Sequence, residues 1–210
     1  MVGGQGLAGQ NVAMEVLVVH AHPAPESLSA RLRDTAVSAL ERAGHHVEVV
    51  DLYAEDYDAR MSREERLAYE SDSPIIDAVV ARHASLVVAA EVIVFVYPTW
   101  YWGLPAILKG WLERTLVPGV GFVLDPRTNK VRGGLRGLRR VVGITTYGSR
   151  RVETFALADS GRRIVVRSVG LLAPPLRCRA TWLGLYGLNR CDPERIEAFV
   201  ARVDRRLAAL

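Results

Sequence analysis

The sequence predicts an α/β protein, a three-layer sandwich in which helices cover both faces of a five-stranded parallel sheet of order 2-1-3-4-5. Five short apolar runs alternate with segments of helical periodicity along the 210 residues, a pattern typical of open parallel sheets. The run from Val92 to Tyr97 is apolar at every position, as expected of a strand buried on both faces. Residues 14–52 follow the order strand, loop, helix, strand, which implies a parallel pair.

The first strand, helix and second strand have clear boundaries in the sequence. Met14 to His20 is a strongly apolar run and is expected to be the first strand. A loop rich in prolines and hydroxyl groups follows, and the helix after it has one apolar face, formed by Leu28, Leu32, Ala36, Ala39 and Leu40. Gly44 is expected to end that helix in the left-handed conformation, and residues 46–52 are expected to form the second strand.

The middle of the chain is expected to contain helices, the central strand and a long connection. A short helix is predicted over residues 62–69, and Ser73-Pro74 is expected to start another that runs towards Ala90. The central strand follows, and the next helix has a buried face formed by Leu104, Ile107, Leu108, Trp111, Leu112 and Thr115. Residues 117–137 are rich in glycine and proline, so we expect a hairpin-like excursion near the functional site.

The last third of the chain is expected to complete the sheet. We predict the fourth strand over Leu138–Thr145, short helices over Arg151–Leu157 and Arg162–Val169, and the fifth strand over Leu176–Leu183. Asp192-Pro193 then starts a final helix that runs to Leu210. Residues 1–12 are Gly-rich and polar and are expected to be a disordered tail, and residues 13–210 are expected to form a single domain.

Composition excludes several classes of protein. The longest apolar region, residues 78–97, is interrupted by Arg82, His83 and Glu91, so we expect no membrane span. Cys178 and Cys191 have neither CxxC spacing nor a nearby histidine pair, so we expect no metal site and a reducing, cytoplasmic location. The N-terminus lacks the basic start and apolar core of a signal peptide, which agrees with that location.

The chain is basic, with a formal net charge of +4, and its arginines are concentrated in the second half. This charge is either a solvated basic face or a source of attraction for a phosphorylated cofactor. Nucleic-acid binding is not expected, because no helix-turn-helix, zinc finger or basic-aromatic repeat accompanies the charge.

Three predicted strands are each followed by a loop whose residues could bind a ligand. In a parallel sheet these loops converge on one edge. The first loop offers Ser27, Ser29 and the amides of a helix start, which suit a phosphate; simple capping of the helix by Ser27 is the alternative. The second, residues 100–102, offers Trp-Tyr-Trp, which suits a flat ligand or a dimerisation patch. The third, residues 145–149, offers hydroxyl groups and a glycine turn that could bond the polar edge of a heterocycle.

These motifs resemble the NAD(P)H:quinone oxidoreductases of flavodoxin-like fold, the group of DT-diaphorase, modulators of drug activity and ancillary subunits of potassium-efflux systems. The most specific match is residues 97–114, YPTWYWGLPAILKGWLER, which is similar to that family's signature. The sequence around His22 and Ser27-Leu28-Ser29 resembles its phosphate loop, and Thr145-Thr146-Tyr147-Gly148 resembles its Thr-Thr-Gly-Gly loop. The resemblance extends over nearly the whole chain from Met14.

The resemblance implies a flavin, FMN or alternatively FAD, with NAD(P)H as electron donor and a quinone or quinone-like acceptor. The flavin phosphate would lie at His22, Ser27, Leu28 and Ser29. The isoalloxazine ring would contact Pro98, Thr99, Trp100, Tyr101 and Trp102 on one side and Thr145, Thr146, Tyr147 and Gly148 on its other polar edge. Two-electron hydride transfer would run through flavin N5 by a ping-pong mechanism. A homodimer with the active site at the subunit interface is also implied, and the arginines of the second half favour NADPH over NADH.

The chain departs from the family's pattern at the positions of a Tyr and a His that stabilise charge during hydride transfer. Glu153 and Asp159 occupy those positions, so no protein acid or base is assigned. The departure leaves two other functions open. One is a flavin-binding regulatory or ancillary subunit of a transporter, and the other is a specialised reductase of an aromatic biosynthetic intermediate.

Overall fold

The computed structural model describes residues 12–174 and 178–210. The described residues form seven strands: β1 (Glu15–His20), β2 (His46–Asp51), β3 (Val92–Pro98), β4 (Phe122–Leu124), β5 (Val131–Gly133), β6 (Arg140–Tyr147) and β7 (Arg179–Tyr186). The helices are α1 (Leu28–Arg42), α2 (Arg63–Ala68), α3 (Ala78–Ala89), α4 (Ala106–Thr115), α5 (Arg151–Ala156), α6 (Ser160–Arg163) and α7 (Pro193–Leu207). The expected disorder of residues 1–12 lies outside the described residues, apart from an exposed Val12.

The central sheet has five parallel strands in the order β2-β1-β3-β6-β7. The predicted five-stranded parallel sheet is therefore confirmed. The prediction numbered only the strands of this sheet, as 2-1-3-4-5; with all seven strands numbered, the order is 2-1-3-6-7, because β4 and β5 precede the fourth strand of the sheet and form a separate antiparallel pair. The expected hairpin within residues 117–137 is this pair.

Alternate residues of each strand enter two separate cores. Leu17, Ile93 and Phe95 belong to a cluster with α3 and α4, in which Trp111 is fully buried. Residues one position away along the same strands belong to a second cluster with α1 and α7. Since a strand's side chains alternate between its faces, this division explains why β3 is apolar at every position.

Several predicted boundaries are wrong by a few residues. The helix expected to start at Ser73-Pro74 begins at Ala78, because the Asp77 carboxylate accepts the amides of Val79 and Val80 and caps it there. Strand β6 begins at Arg140 rather than Leu138, because Leu138 is buried in the core ahead of the strand and Arg140 pairs with the first residue of β3.

The last fifty residues contain the largest differences from the predicted elements. The helix expected over 162–169 is α6 followed by a π-helical stretch from Ile164 to Val169, a form that periodicity does not distinguish from an α-helix. Strand β7 ends at Tyr186, three residues later than expected, because it pairs with β6 up to Tyr147. Its expected start at Leu176 lies outside the described residues. Helix α7 begins as predicted, with Asp192 as N-cap and Pro193 in the first turn.

Within the described residues, no helix has the length and apolar character needed to cross a membrane.

Candidate active site

The loops after β1, β3 and β6 meet at the carboxyl edge of the sheet. The Thr99 amide donates to the carbonyl oxygen of Thr146 at 2.8 Å, and the hydroxyl groups of Thr99 and Thr145 lie 3.1 Å apart. The rings of His22 and Trp100 have centroids 5.8 Å apart, so the first loop contacts the second. The structure therefore brings together the three loops that the sequence singled out.

The first loop, residues 22–29, is called the phosphate corner below. Ser27 caps α1, because its Oγ accepts the Ala30 amide at 3.1 Å. The Nδ1 atom of His22 accepts a backbone amide at 3.0 Å, which leaves the ring proton on Nε2. The amides of Leu28 and Ser29 lie in the first turn of the helix, where N–H groups have no intrahelical acceptor and the helix dipole is positive. The phosphate corner thus combines the donors that a phosphate requires.

A buried polar network lies beneath the phosphate corner. His20 is 1% exposed, with its Nδ1 2.8 Å from Asp51 Oδ2 and its Nε2 3.3 Å from the Ser29 hydroxyl. Arg33 donates to the same Asp51 oxygen at 2.5 Å. Because a carboxylate only accepts hydrogen bonds, His20 carries its proton on Nδ1, and its Nε2 accepts from Ser29.

The pKa values of this network agree with that assignment. Burial lowers the pKa of His20, against the opposing effect of Asp51, so the neutral ring is favoured. Burial alone would raise the pKa of Asp51, but hydrogen bonds from His20, the Ala54 amide and Arg33 lower it overall. The network therefore fixes the Ser29 side chain at the start of α1.

The second loop, residues 100–103, is called the aromatic turn. Its ends are joined by Trp100 N to Gly103 O at 3.3 Å and by Gly103 N to Trp100 O at 3.0 Å. Both central residues have positive φ, 44° at Tyr101 and 63° at Trp102, as in a type I′ turn. Such turns normally use Asn and Gly, because an L-residue with a bulky side chain costs about 1–2 kcal/mol in this region. The aromatic turn is therefore strained.

Contacts from outside the turn hold this strained geometry. The Ser160 hydroxyl at the start of α6 donates to the carbonyl oxygen of Trp102 at 2.7 Å. Tyr101 is 100% exposed, and Trp100 and Trp102 are 41% and 37% exposed. In the described part of the chain, the amides of Tyr101 and Trp102 are donated to no protein acceptor. The turn thus presents aromatic surface and two backbone donors at the sheet edge.

Fewer residues of the third loop are exposed at the site than expected. Thr145 and Thr146 are buried, and only Gly148 of the predicted set is exposed. Tyr147 is 1% exposed and stacks on Tyr186 with ring centroids 4.3 Å apart. The side chain of Tyr147 therefore faces the core, and its contribution to a ligand site is limited to its backbone.

Glu153 and Asp159, which the sequence predicted at the positions of the family's Tyr and His, each bind another side chain. Glu153 accepts the amide and the guanidinium of Arg150, and these hydrogen bonds lower its pKa. Asp159 accepts the Tyr147 hydroxyl at 2.9 Å and holds a left-handed φ of 38°. Burial, together with the charge of Asp159, raises the pKa of Tyr147, so that phenol stays protonated. Neither carboxylate is placed as an acid or base for a ligand in the loops.

Sequence reasoning missed two features of the site. The first is the His20 network, although a histidine and an aspartate at the ends of adjacent apolar strands are an available signal. The second is Tyr97, whose buried hydroxyl has no hydrogen-bond partner among the described residues, and whose pKa is raised by burial and then by Asp159. No cluster of three metal-binding side chains occurs in the described ranges.

Comparison with known proteins identifies the family. A family model described as flavodoxin-like fold matches residues 14–160.

The chain belongs to the flavodoxin-like family.

Relatives within this family include quinone-dependent dehydrogenases, as the sequence motifs predicted. The chain is 35% identical over 157 residues to a ribosyldihydronicotinamide dehydrogenase-like protein of Penicillium crustosum, covering 64% of this chain and 58% of that protein. It is 30% identical over 148 residues to NAD(P)H dehydrogenase [quinone] 1 of Rattus norvegicus, covering 63% of this chain and 53% of that protein. The chain thus matches little more than half the length of these relatives.

Solved structures agree over most of the chain. An NAD(P)H:quinone oxidoreductase from Methanothermobacter marburgensis is 25% identical with a TM-score of 0.73, over 94% of this chain and 96% of that one. An FMN-dependent NADH-azoreductase from Bacillus anthracis, solved in complex with FMN, is 17% identical with a TM-score of 0.73, over 92% of this chain and 97% of that one. At 17% identity, the similarity to the azoreductase shows a shared fold and nothing more.

Proposed function

We propose that this protein is a flavin-dependent NAD(P)H oxidoreductase that reduces quinones or quinone-like compounds by two electrons. The observation that carries the proposal is the meeting of the phosphate corner, the aromatic turn and the β6 loop at one sheet edge, linked by Thr99, Thr145 and Thr146. A phosphate site beside exposed aromatic rings and backbone donors matches a molecule with a phosphate at one end and a flat heterocycle at the other. A flavin mononucleotide has that form.

The residues present fit a flavin. The Leu28 and Ser29 amides, the positive end of α1 and the Nε2–H of His22 would hold its phosphate. The amides of Tyr101 and Trp102 would bond the polar edge of the ring. We propose FMN rather than FAD, because the phosphate corner is built at a single helix N-terminus. The remaining sites proposed are the predicted ones at Ser27, Pro98, Thr99, Trp100, Thr145, Thr146, Tyr147 and Gly148, with Tyr147 acting through its backbone.

A bound flavin would supply the hydride chemistry at N5, taking electrons from NAD(P)H and passing them to the acceptor in a ping-pong sequence. The chain's own part is binding and orientation. The aromatic turn covers the ring and limits water, and the amides of Tyr101 and Trp102 place partial positive charge beside it, which favours a reduced, anionic ring. No side-chain acid or base is needed in this scheme, which agrees with the engagement of Glu153 and Asp159 elsewhere.

Cofactor binding and turnover test this proposal. The purified chain, stripped of any cofactor, is titrated with FMN, FAD and riboflavin while flavin fluorescence is recorded. We expect FMN to bind at least tenfold more tightly than riboflavin, since the difference reports the phosphate site. Loaded protein is then assayed with NADH and NADPH against several quinones and an azo compound. A chain that binds no flavin would refute the proposal, and binding without NAD(P)H oxidation would favour the regulatory or ancillary role.

We also propose a cytoplasmic homodimer built from a single domain over residues 13–210. Tyr101 is fully exposed beside the site and Phe155 is 84% exposed on α5, so large aromatic groups at this edge are available to a second copy. Cys178 and Cys191 are free thiols, which suits a reducing compartment. Sedimentation at micromolar concentration tests the dimer, and a purely monomeric chain would contradict it.

A further inference from the structure

A second candidate site lies beside the first, in a groove between strand β7 and helix α7. The groove has a volume of about 840 Å³. Among the described residues, eight exposed arginines and no acidic side chain line it, and one of the eight, Arg150, is paired with Glu153 beside the groove. It is called the arginine groove below. Because like charges repel, such a concentration of guanidinium groups with few acids nearby costs stability and indicates a binding surface for anions.

Part of the arginine groove is held in place by the fold. Arg195 donates to the carbonyl oxygen of Tyr186 at 2.8 Å, and Arg202 donates to that of Gly184 at 3.2 Å. The Arg202 guanidinium also lies over the Phe199 ring, 4.8 Å from its centroid. These contacts keep two guanidinium groups along the edge of β7, so less side-chain entropy is lost when an anion binds.

The far end of the groove carries arginines for which the described part of the chain offers no ion-pair partner. Burial, together with the charges of Arg179 and Arg206, lowers the pKa of Arg140 at the start of β6. Arg205 and Arg206 lie in the last turn of α7, and both are exposed. They are thus placed to meet an anion at the end of the groove away from the sheet's carboxyl edge.

The near end of the groove adjoins the candidate flavin site. Gly187, at the groove, donates its amide to the carbonyl oxygen of Ser149, in the loop after β6. The neighbouring Asn189 side chain lies beside Gly148, where it would contact any added side chain. From Arg195 to Arg206 the helix rises about 16 Å at 1.5 Å per residue. A ligand that reaches from the flavin site into the groove is therefore extended and anionic.

We propose that the arginine groove binds the adenosine 2′-phosphate end of NADPH while the nicotinamide lies at the flavin site. This rests on the proposed function, because a hydride donor must reach the flavin. Phosphate groups match arginine well, since guanidinium binds them through paired hydrogen bonds. A second copy of the same groove is disfavoured by mutual repulsion, and continuity with the flavin site favours a dinucleotide over a nucleic acid.

The test compares a double variant, Arg205→Gln with Arg206→Gln, with a matched control, Arg63→Gln with Arg127→Gln. The control pair is exposed and removes the same charge outside the groove. Binding of adenosine 2′,5′-bisphosphate and of 5′-AMP to the full chain is measured by calorimetry. We expect the groove variant to lose about tenfold in affinity for the bisphosphate and the control variant to lose less than twofold. The unmodified chain and both variants should bind 5′-AMP weakly.

Kinetics provide the second readout. In the loaded protein, the groove variant should raise KM for NADPH about tenfold and leave KM for NADH within about twofold. Unchanged bisphosphate binding, or equal increases for both nucleotides, would overturn the assignment. Tighter binding of a single-stranded oligonucleotide than of the bisphosphate through the same arginines would overturn it in favour of nucleic acid. A chain that binds the bisphosphate through Arg205 and Arg206 but no flavin would keep the groove and reject the reductase.

Discussion

The phosphate corner and the aromatic turn are two halves of one candidate site, and they are built in opposite ways. The phosphate corner rests on satisfied hydrogen bonds: Ser27 caps its helix, and His20 links Ser29 to Asp51. The aromatic turn rests on strain, because Tyr101 and Trp102 both hold positive φ. The hydrogen bonds of the phosphate corner stabilise the fold, whereas the backbone conformation of the aromatic turn destabilises it.

This difference separates two kinds of functional design. A phosphate is bound well by an ordinary helix N-terminus, so a good capping geometry is also a good binding geometry. The flat ring is met here by large aromatic groups and backbone donors at one turn, and the type I′ geometry of that turn strains such residues. The stability lost there is offset by contacts such as that between Ser160 and the Trp102 carbonyl oxygen. The comparison leads to four predictions, ordered by the size of the expected effect.

Replacing Asp51 with Asn should have the largest effect. The substitution leaves Arg33 and the buried His20 without their carboxylate, and we expect the free energy of unfolding to fall by about 3 kcal/mol. Urea denaturation measures this. Asp34→Asn is the matched control, because Asp34 pairs with the same arginine but its side chain is 65% exposed, so its loss should cost less than about 0.5 kcal/mol. Equal effects of the two variants would show that the network is not a stabilising element.

Acid should destabilise the protein before its carboxylates titrate, and His20 should contribute to this. Its pKa is lowered by burial in the folded state, so the unfolded chain binds a proton first as the pH falls below about 6.5. The contribution of His20 to stability is fully present above that pH. It is lost as the pH falls towards the folded-state pKa, by at most about 1.4 kcal/mol per pH unit for one proton. His45 and His83, whose pKa values burial also lowers, add to the slope. Between pH 7.5 and 5.0, the free energy of unfolding should depend less steeply on pH in His20→Gln than in the wild-type chain. An unchanged dependence would contradict the assignment.

Removing a helix cap should separate binding from stability in the phosphate corner. Ser27→Ala should cost about 1 kcal/mol of stability through the lost cap of α1. Ser62→Ala removes an equivalent cap at α2, away from the site, and should cost about the same. FMN affinity should fall about tenfold in the Ser27 variant and stay unchanged in the Ser62 variant. If both variants kept full FMN affinity, Ser27 would be a cap with no part in the phosphate site.

The sequence was sufficient for the features that depend on local pattern. Alternation and turn chemistry predicted the parallel sheet, the Asp192 cap and the meeting of the loops, and gave the Ser27 cap as an alternative, because these follow from side-chain periodicity and from the direction of parallel strands. Tyr147 was expected to face the ligand and instead faces the core, where Asp159 and Tyr186 hold it. That orientation depends on residues twelve and thirty-nine positions away, which no local pattern encodes.

The arginine groove was missed for a related reason. Its lining comes mainly from α5, α6, β7 and α7, so the sequence showed a basic region without showing which arginines share a surface. Residues 161–210 contain ten arginines and four acidic residues, whereas residues 1–160 have a slight excess of acid. The net charge of the chain therefore arises from the segment that lies beyond the family match to residues 14–160. The π-helical stretch lies in the same segment.

Relieving the strain in the aromatic turn should have the smallest effect and the most informative sign. Tyr101 is fully exposed, so its replacement forfeits no core packing, and Asn tolerates positive φ better than Tyr. We expect Tyr101→Asn to raise the free energy of unfolding of the flavin-free chain by about 0.5–1 kcal/mol. Tyr101→Phe, which keeps the strain, should leave stability unchanged and is the control. Flavin affinity should fall in the Asn variant and persist in the Phe variant. The reason is that the strained backbone places the aromatic ring of residue 101 at the flavin site, and only Phe keeps that ring. A Tyr101→Asn chain no more stable than Tyr101→Phe would mean that the turn stores no strain, and the contrast between the two halves of the site would then fail.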